Sequence, residues 1–178
     1  MFGGVVWGLD VSSTRIGLCV GRVGGVPTFE SFSAAGTDDQ PEDRFKRAMR
    51  WAVDRTAIEK PDFAYVEAPL DLMVGKTNPA TSLLLKGMYA VVSSTIALRG
   101  ASVRPAKVQT VRKFLLGHGN LRKDVAEPLI RQRLREWGWN PKNHDEADAG
   151  AVWAYGVHML RPDLMPKPQP LQIKKEVA

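Results

Sequence analysis

Residues 5–20 are Val5-Val6-Trp7-Gly8-Leu9-Asp10-Val11-Ser12-Ser13-Thr14-Arg15-Ile16-Gly17-Leu18-Cys19-Val20, and they predict two strands joined by a tight polar turn. The first strand, residues 5–9, is apolar on both faces, which is typical of a central strand buried between helices. Asp10 follows this apolar run, and a buried carboxylate is costly unless something pairs with it. Asp10 is therefore either an ordinary turn residue or a functional group, and the choice between these interpretations depends on the rest of the sequence.

The first half of the chain predicts an α/β domain. Residues 15–23 and 26–33 predict two further strands, joined by a hairpin at Gly24-Gly25, so the first three strands form an antiparallel meander. Apolar residues at helical spacing predict a helix over 41–60. A fourth strand is expected at 62–66. Because a helix separates it from the meander, this strand should run parallel to the first.

The second half continues the same alternation. Residues 79–99 predict a helix that is apolar on nearly all sides, as expected if it is buried on more than one side. A short fifth strand is expected at 101–103. Two basic helices are expected at 105–116 and 122–137, with a kink or a restart at Pro128. The pattern predicts a five-stranded mixed sheet flanked by helices.

Two carboxylates follow parallel strands of this sheet. Asp10 comes after the first strand and Glu67 comes directly after the fourth. Parallel neighbours end at the same edge, which is where open α/β sheets carry their sites. We therefore expect Asp10 and Glu67 to lie close together, an arrangement that turn chemistry does not explain.

Two further carboxylates lie on the last predicted helix. Asp145 and Asp148 are three residues apart, so they share one helix face, and the small residues around them allow a close approach to the sheet. Asn143 and Glu146 match a capping-box pattern at the start of this helix. Acidic residues in a first turn also complement the helix dipole, which explains Asp145 better than Asp148.

The charge of the chain is unevenly distributed. The protein has 178 residues and a formal net charge of +6. Residues 99–135 contain ten lysines and arginines but only two acidic residues, so the rest of the chain is slightly acidic. A basic region beside carboxylates suits a protein that holds phosphates with one region and a metal with another.

Composition also limits the setting of the protein. The single cysteine, Cys19, excludes an intrachain disulfide and a thiolate zinc cluster. No secretory signal and no uninterrupted apolar run of about 18 residues is present, so we expect a cytoplasmic protein with no membrane segment. We expect one domain over residues 1–160. Residues 161–178 contain four prolines and, near their end, Lys174-Lys175, and they predict an extended or disordered tail that contacts DNA.

The four carboxylates predict a metal centre. Oxygen ligands without thiolates suit Mg²⁺, with Mn²⁺ as a substitute. Two such ions about 3.5–4 Å apart can clamp the attacking and leaving oxygens of a phosphodiester. The residues themselves therefore indicate metal-dependent phosphodiester hydrolysis, with Asp10, Glu67, Asp145 and Asp148 as the candidate catalytic residues and metal ligands.

Three motifs carry a resemblance to a known family. Gly8-Leu9-Asp10-Val11-Ser12-Ser13-Thr14-Arg15-Ile16-Gly17, Val66-Glu67-Ala68-Pro69 and Asp145-Glu146-Ala147-Asp148-Ala149 resemble, in order, motifs of the RuvC family of Holliday-junction resolvases, which have an RNase H-like fold. The stretches Arg104-Pro105-Ala106-Lys107-Val108-Gln109 and Gly117-His118-Gly119-Asn120-Leu121-Arg122-Lys123 resemble the family's DNA-contacting segments. The resemblance covers roughly residues 5–158. In its short length the chain is similar to phage-encoded members of the family.

The resemblance implies a homodimer that acts in DNA recombination and repair. The apolar pattern of helix 79–99 predicts either the dimer interface or a central core helix, and we expect the interface. Each subunit would nick one strand of a four-way junction, leaving 5′-phosphate and 3′-hydroxyl ends. The implied DNA contacts are basic residues: Arg15, Lys76, Lys86, Arg104, Lys107, Arg112, Lys113, Arg122 and Lys123. Where the family often has an aromatic wedge after the second motif, this chain has Leu70, Leu72 and Met73, which can still separate base steps.

Other functions fit parts of this pattern. A nuclease of the same fold that cuts flaps, other branched DNA or RNA–DNA hybrids would use the same carboxylates. An actin-like ATPase or sugar kinase has a similar hairpin, but such proteins carry two domains of this kind and a second phosphate loop. A non-catalytic DNA-binding protein would be expected to have lost one or more of the four acidic residues, and all are present.

Overall fold

The computed structural model describes residues 3–37, 39–69 and 78–166, and it contains one five-stranded sheet in the order β3-β2-β1-β4-β5. β1 pairs antiparallel with β2 and parallel with β4, β2 pairs antiparallel with β3, and β4 pairs parallel with β5. The expected meander and its two parallel additions are confirmed. The strands are β1 (Val5–Val11), β2 (Arg15–Arg22), β3 (Thr28–Ser33), β4 (Phe63–Glu67) and β5 (Ser102–Ala106).

Helices cover both faces of the sheet. Their bounds are α1 (Pro41–Ile58), α2 (Pro79–Leu98), α3 (Val108–Leu116), α4 (Lys123–Glu136) and α5 (His144–Leu160). Alternate residues of β1 face opposite layers: Trp7 and Leu9 pack in the layer of α1 and α2, whereas Val6 packs in the layer of α3, α4 and α5. Gly8 and Asp10 therefore share the α5 face of the sheet with Val6.

Two glycines allow α5 to lie close against the sheet. A Cβ at Gly8 would lie 2.3 Å from the backbone nitrogen of Trp153 and 2.4 Å from the carbonyl oxygen of Ala149. A Cβ at Gly17 would lie 2.1 Å from the carbonyl oxygen of Asp145. Any larger residue at these positions would push α5 away from the sheet. Both glycines therefore allow the short distance between α5 and the strands that carry Asp10 and Gly17.

The prediction of a helix beginning at Pro105 is wrong, and of the kink or restart predicted at Pro128 the restart does not occur. Pro105 does not begin a helix, because β5 extends to Ala106 and α3 begins only at Val108. β5 is an edge strand, where a residue without an N–H is tolerated. Pro128 does not restart a helix either, because α4 is continuous and its buried residues, which include Ile130, pack in the layer of α5 on both sides of the proline.

Helix α2 is apolar but only partly covered. Met88, Val92 and Ile96 are buried against α1 and the sheet, whereas Leu83 and Leu98 are 73% and 87% exposed. By length and mean hydropathy alone the helix could cross a membrane, although it contains no uninterrupted apolar run of that length. Its exposed apolar side is a surface that the described chain leaves uncovered.

The chain continues beyond α5 into a short 3₁₀ turn, Pro162–Leu164. Met165 after it is buried against the α5 layer. The first residues of the predicted tail therefore pack on the domain, and residues 167–178 lie outside the described residues.

Candidate active site

Adjacent parallel strands bring Asp10 and Glu67 together. Leu9 pairs with Val66, so the next residue of each strand lies at the same level of the sheet. Asp10 shares its face with Val6, and Glu67 shares its face with Tyr65, and both of these apolar residues pack in the α5 layer. The two carboxylates therefore lie on one face of the sheet, beneath α5.

The first turns of α5 are held by a hydrogen-bonded cap. The Asn143 side chain accepts a hydrogen bond from the Glu146 backbone N–H at 2.9 Å, as expected for an N-cap. The carboxylate of Glu146 accepts from the backbone N–H of Lys142 at 2.7 Å rather than from that of Asn143, so the predicted capping box is shifted by one residue. Glu146 is buried in this structural role, which leaves Asp145 and Asp148 as the acidic residues of α5 nearest the sheet carboxylates.

Asp10 is at the centre of these acidic groups. Burial raises its pKa well above the ordinary value, and the charges of Glu67, Asp148 and Asp145 raise it further, in that order. The charge of Lys123 acts in the opposite direction. The other three carboxylates predicted from the sequence are thus close enough for their charges to act on Asp10.

Glu67 and Asp148 are also perturbed. Burial, and then the charge of Asp148, raises the pKa of Glu67 to about 7. Burial raises the pKa of Asp148 to about 6 against the opposing charge of Lys123. We call Asp10, Glu67 and Asp148 the carboxylate cluster. Concentrated negative charge of this kind, held by buried oxygens, favours a bound divalent cation.

Two basic residues face the carboxylate cluster. Lys123 lies at the start of α4, 3.3 Å from Glu127. Burial lowers its pKa, but Glu127, Asp148 and Asp10 outweigh this and raise it. Arg112 donates to the carbonyl oxygen of Leu121 at 2.8 Å, and its charge lowers the pKa of Glu67. The sequence predicted both as DNA contacts; the structure places them beside the acidic groups as well.

The donor set fits a divalent cation, although its side chains are not arranged around one. Within residues 3–37, 39–69 and 78–166, no three His, Cys, Asp or Glu side chains converge at metal-binding distance. Asp145 is turned aside: its carboxylate lies 2.9 Å from Arg15 Nε and 3.2 Å from His144 Nε2. The chemistry is nevertheless that of a hard cation site, because the cluster consists of buried carboxylate oxygens, with Lys123 and Arg112 among the basic groups whose charges act on them.

The remaining predicted DNA contacts occupy several positions. Lys107 caps α3 directly after Ala106, the partner of Glu67 on β5. Arg104 lies 4.8 Å from the ring centroid of Phe63 and contacts Tyr65. Lys113 lies in the last turn of α3, Arg122 pairs with Asp124, and Lys86 lies on the exposed side of α2. Lys76 and the predicted wedge residues Leu70, Leu72 and Met73 lie outside the described residues.

Stability of the metal-free protein should fall as pH rises from about 6 to 8. The raised pKa of Glu67 means that the folded chain holds a proton in this range that the unfolded chain has lost, so folding is favoured at the lower pH by on the order of 1 kcal/mol. Urea unfolding at both pH values in EDTA measures the difference. Glu67→Gln should reduce this difference in stability between the two pH values, and the exposed Glu42→Gln should not. An unchanged difference in Glu67→Gln would contradict the raised pKa of Glu67.

The chain resembles solved resolvase structures. No protein-family model and no curated protein matches it. A Thermus thermophilus RuvC structure aligns with a TM-score of 0.67 and 20% identity over 94% of this chain and 99% of that one. T. thermophilus RuvC in complex with Holliday junction substrate aligns with a TM-score of 0.71 and 20% identity over 93% and 99%. The yeast mitochondrial Holliday junction resolvase Ydc2 aligns with a TM-score of 0.59 and 10% identity over 89% and 82%. The predicted RNase H-like fold of the RuvC type is confirmed.

Proposed function

We propose that this chain, which has the fold of the RuvC resolvases, is a metal-dependent endonuclease that cuts four-way DNA junctions by paired, symmetric nicks. The observation that carries the proposal is that Asp10, Glu67 and Asp148, from two parallel strands and one helix, lie buried and close enough for their charges to interact, with the charge of Lys123 acting on them. Buried carboxylates that can bind a divalent cation, next to a lysine on a basic surface, suit phosphodiester hydrolysis.

Each group has a role in the proposed reaction. Asp10, Glu67, Asp148 and Asp145 would hold Mg²⁺, or Mn²⁺ in its place, as two ions per site, which supply Lewis-acid activation of the phosphodiester and its attacking water. Lys123 and Arg112 offset the negative charge of the acidic residues, which otherwise repels the DNA backbone. Lys107 is exposed at the same edge of the sheet, where it can contact a phosphate near the scissile bond.

We also propose that the enzyme is a homodimer and works in the cytoplasm. A four-way junction has two strands of like polarity to cut, so two sites in a symmetric dimer match the substrate. The exposed side of α2, which carries Leu83 and Leu98, is the apolar surface that supports this proposal. Lys86 on the same side would lie near the dimer axis, where the junction centre is expected.

Replacing Leu83 by Glu should convert the dimer into a monomer. The substitution places a charge in the apolar contact without touching the buried side of α2, so the fold should be unaffected. Light scattering on the eluting protein at micromolar concentration measures the mass. The exposed Ile58→Glu on α1 is the matched control and should remain dimeric. A dimeric Leu83→Glu, or a monomeric wild type, would contradict the proposed interface.

The second candidate is a broader nuclease of the same fold, acting on flaps or RNA–DNA hybrids. The carboxylates do not separate it from a resolvase, because both reactions use them. An actin-like ATPase is disfavoured by the single sheet of the described residues, since the active site of such proteins lies between two domains of this kind.

Competition for DNA binding tests the substrate class independently of cleavage. A labelled four-way junction is bound in EDTA and challenged with unlabelled linear duplex of matched sequence. We expect the complex to survive about a hundredfold excess of duplex, because junction shape adds contacts beyond phosphate charge. Loss of the complex at equal duplex concentration would show non-specific binding and contradict the proposal.

A further inference from the structure

Asp145 differs from the other carboxylates in having a basic side chain within ion-pair distance of each oxygen, although its buried Oδ2 accepts no aligned hydrogen bond. Its Oδ2 lies 2.9 Å from Nε of Arg15, and its Oδ1 lies 3.2 Å from Nε2 of His144. The residue is only 5% exposed. In the described part of the chain, the side chains of the carboxylate cluster make no hydrogen bond or ion pair of this kind. Asp145 therefore lies near the carboxylate cluster, but its closest contacts are with Arg15 and His144.

The backbone of Arg15 is fixed by hydrogen bonds, whereas its side chain is about half exposed. The Ser12 hydroxyl accepts a hydrogen bond from the Arg15 N–H at 2.9 Å and donates to the Arg15 carbonyl at 3.0 Å, which fixes the β1–β2 turn. The Arg15 side chain is 46% exposed. Apart from Asp145, its only polar side-chain contact in the described residues is a long one to Ser31 Oγ at 3.5 Å.

A DNA phosphate bound at this site would therefore compete with Asp145 for the guanidinium of Arg15. Guanidinium groups bind phosphate oxygens through charge-assisted hydrogen bonds, and the Arg15 side chain is exposed enough for a phosphate to reach it although Asp145 is buried. Release of Arg15 would free one oxygen of Asp145 toward the cluster, because the charge of Asp145 already reaches Asp10. His144 would remain 3.2 Å from the other oxygen.

We propose that Arg15 is a latch that holds Asp145 away from the cation site until a DNA phosphate takes its place, so that DNA binding completes the site. This inference rests on the proposed nuclease function, whose cation site it regulates. Arg15 is a positioning residue in this scheme: it acts on the cation through Asp145. The latch prevents full cation binding when no substrate is present.

Calcium binding by the metal-free protein tests the latch without any cleavage. Ca²⁺ takes oxygen ligands, and its binding is followed by titration calorimetry. Without DNA, Arg15→Gln should bind Ca²⁺ about tenfold more tightly than wild type, because Asp145 is free to act as a ligand. With a four-way junction bound, the two proteins should bind Ca²⁺ equally; a denaturing gel afterwards checks that the DNA is intact.

Arg22→Gln is the matched control, because it removes the same charge from the exposed far end of the same strand. It should bind Ca²⁺ as wild type does, which separates the latch from a change in net charge. Equal or weaker Ca²⁺ binding by Arg15→Gln without DNA, or no Ca²⁺ binding by any of the proteins, would overturn the proposal. If the protein cut no junction, the proposed function would fail, but the DNA-free comparison would still report on the latch.

Discussion

Replacing Asp10 by Asn is expected to lower the rate of junction cleavage by about a thousandfold or more, since the proposed cation clamp would contribute several kcal/mol to transition-state stabilisation. Asp10 is the residue on which the charges of the other three carboxylates act, so its loss affects the whole site. Asn keeps the size and one oxygen but removes the charge. Single-turnover cleavage of a labelled junction measures the rate.

Junction binding should survive the Asp10→Asn substitution, because the proposed phosphate contacts are basic residues, which the substitution leaves unchanged. Removing a buried negative charge should, if anything, strengthen binding of the polyanion. The matched control is Asp54→Asn, an exposed residue of α1 on the opposite face of the sheet. Cleavage within tenfold of wild type in Asp10→Asn would remove Asp10 from the active site.

Replacing Gly8 by Ala is expected to destabilise the fold by about 3 kcal/mol or more, at the upper end of overpacking costs. The added methyl would lie 2.3 Å from the Trp153 nitrogen and 2.4 Å from the Ala149 oxygen. These are backbone atoms of α5, so no rotamer change can relieve the contact. Urea unfolding measures the loss of free energy.

Gly3→Ala is the control for Gly8→Ala, because nothing lies within 4 Å of a Cβ at Gly3. It should unfold at the wild-type urea concentration. Since α5 also carries Asp148, residual folded Gly8→Ala should bind divalent cations more weakly than wild type. A midpoint for Gly8→Ala equal to that of Gly3→Ala would show that α5 does not lie as close to β1 as the structure places it.

The position of the site could be predicted from local sequence patterns and one topological rule. Asp10 and Glu67 each follow an apolar run, and a strand–helix–strand crossover must bring the ends of such runs to one edge of the sheet. The three-residue spacing of Asp145 and Asp148 was sufficient to place them on one face of a helix. These inferences depend on covalent connectivity and periodicity, which the sequence contains directly.

Other features depend on contacts between distant segments, and they were not predicted. The pairing of Arg15 with Asp145 joins residues 130 positions apart, and nothing local in either segment indicates it. Gly8 and Gly17 are recognisable as glycines, but the helix that requires them is known only from the fold. Pro105 resembles a helix start because a proline is common there, and only the complete sheet shows that β5 is an edge strand.

The most direct test of the proposed function is cleavage of a mobile four-way junction, with linear duplex, a flap and an RNA–DNA hybrid of matched sequence in parallel, each with Mg²⁺ and with EDTA. We predict paired nicks at symmetric positions in the junction, ends that a ligase can rejoin, and no cutting in EDTA. Cutting of the hybrid alone, or equal cutting of linear duplex and junction, would contradict the assignment as a junction resolvase.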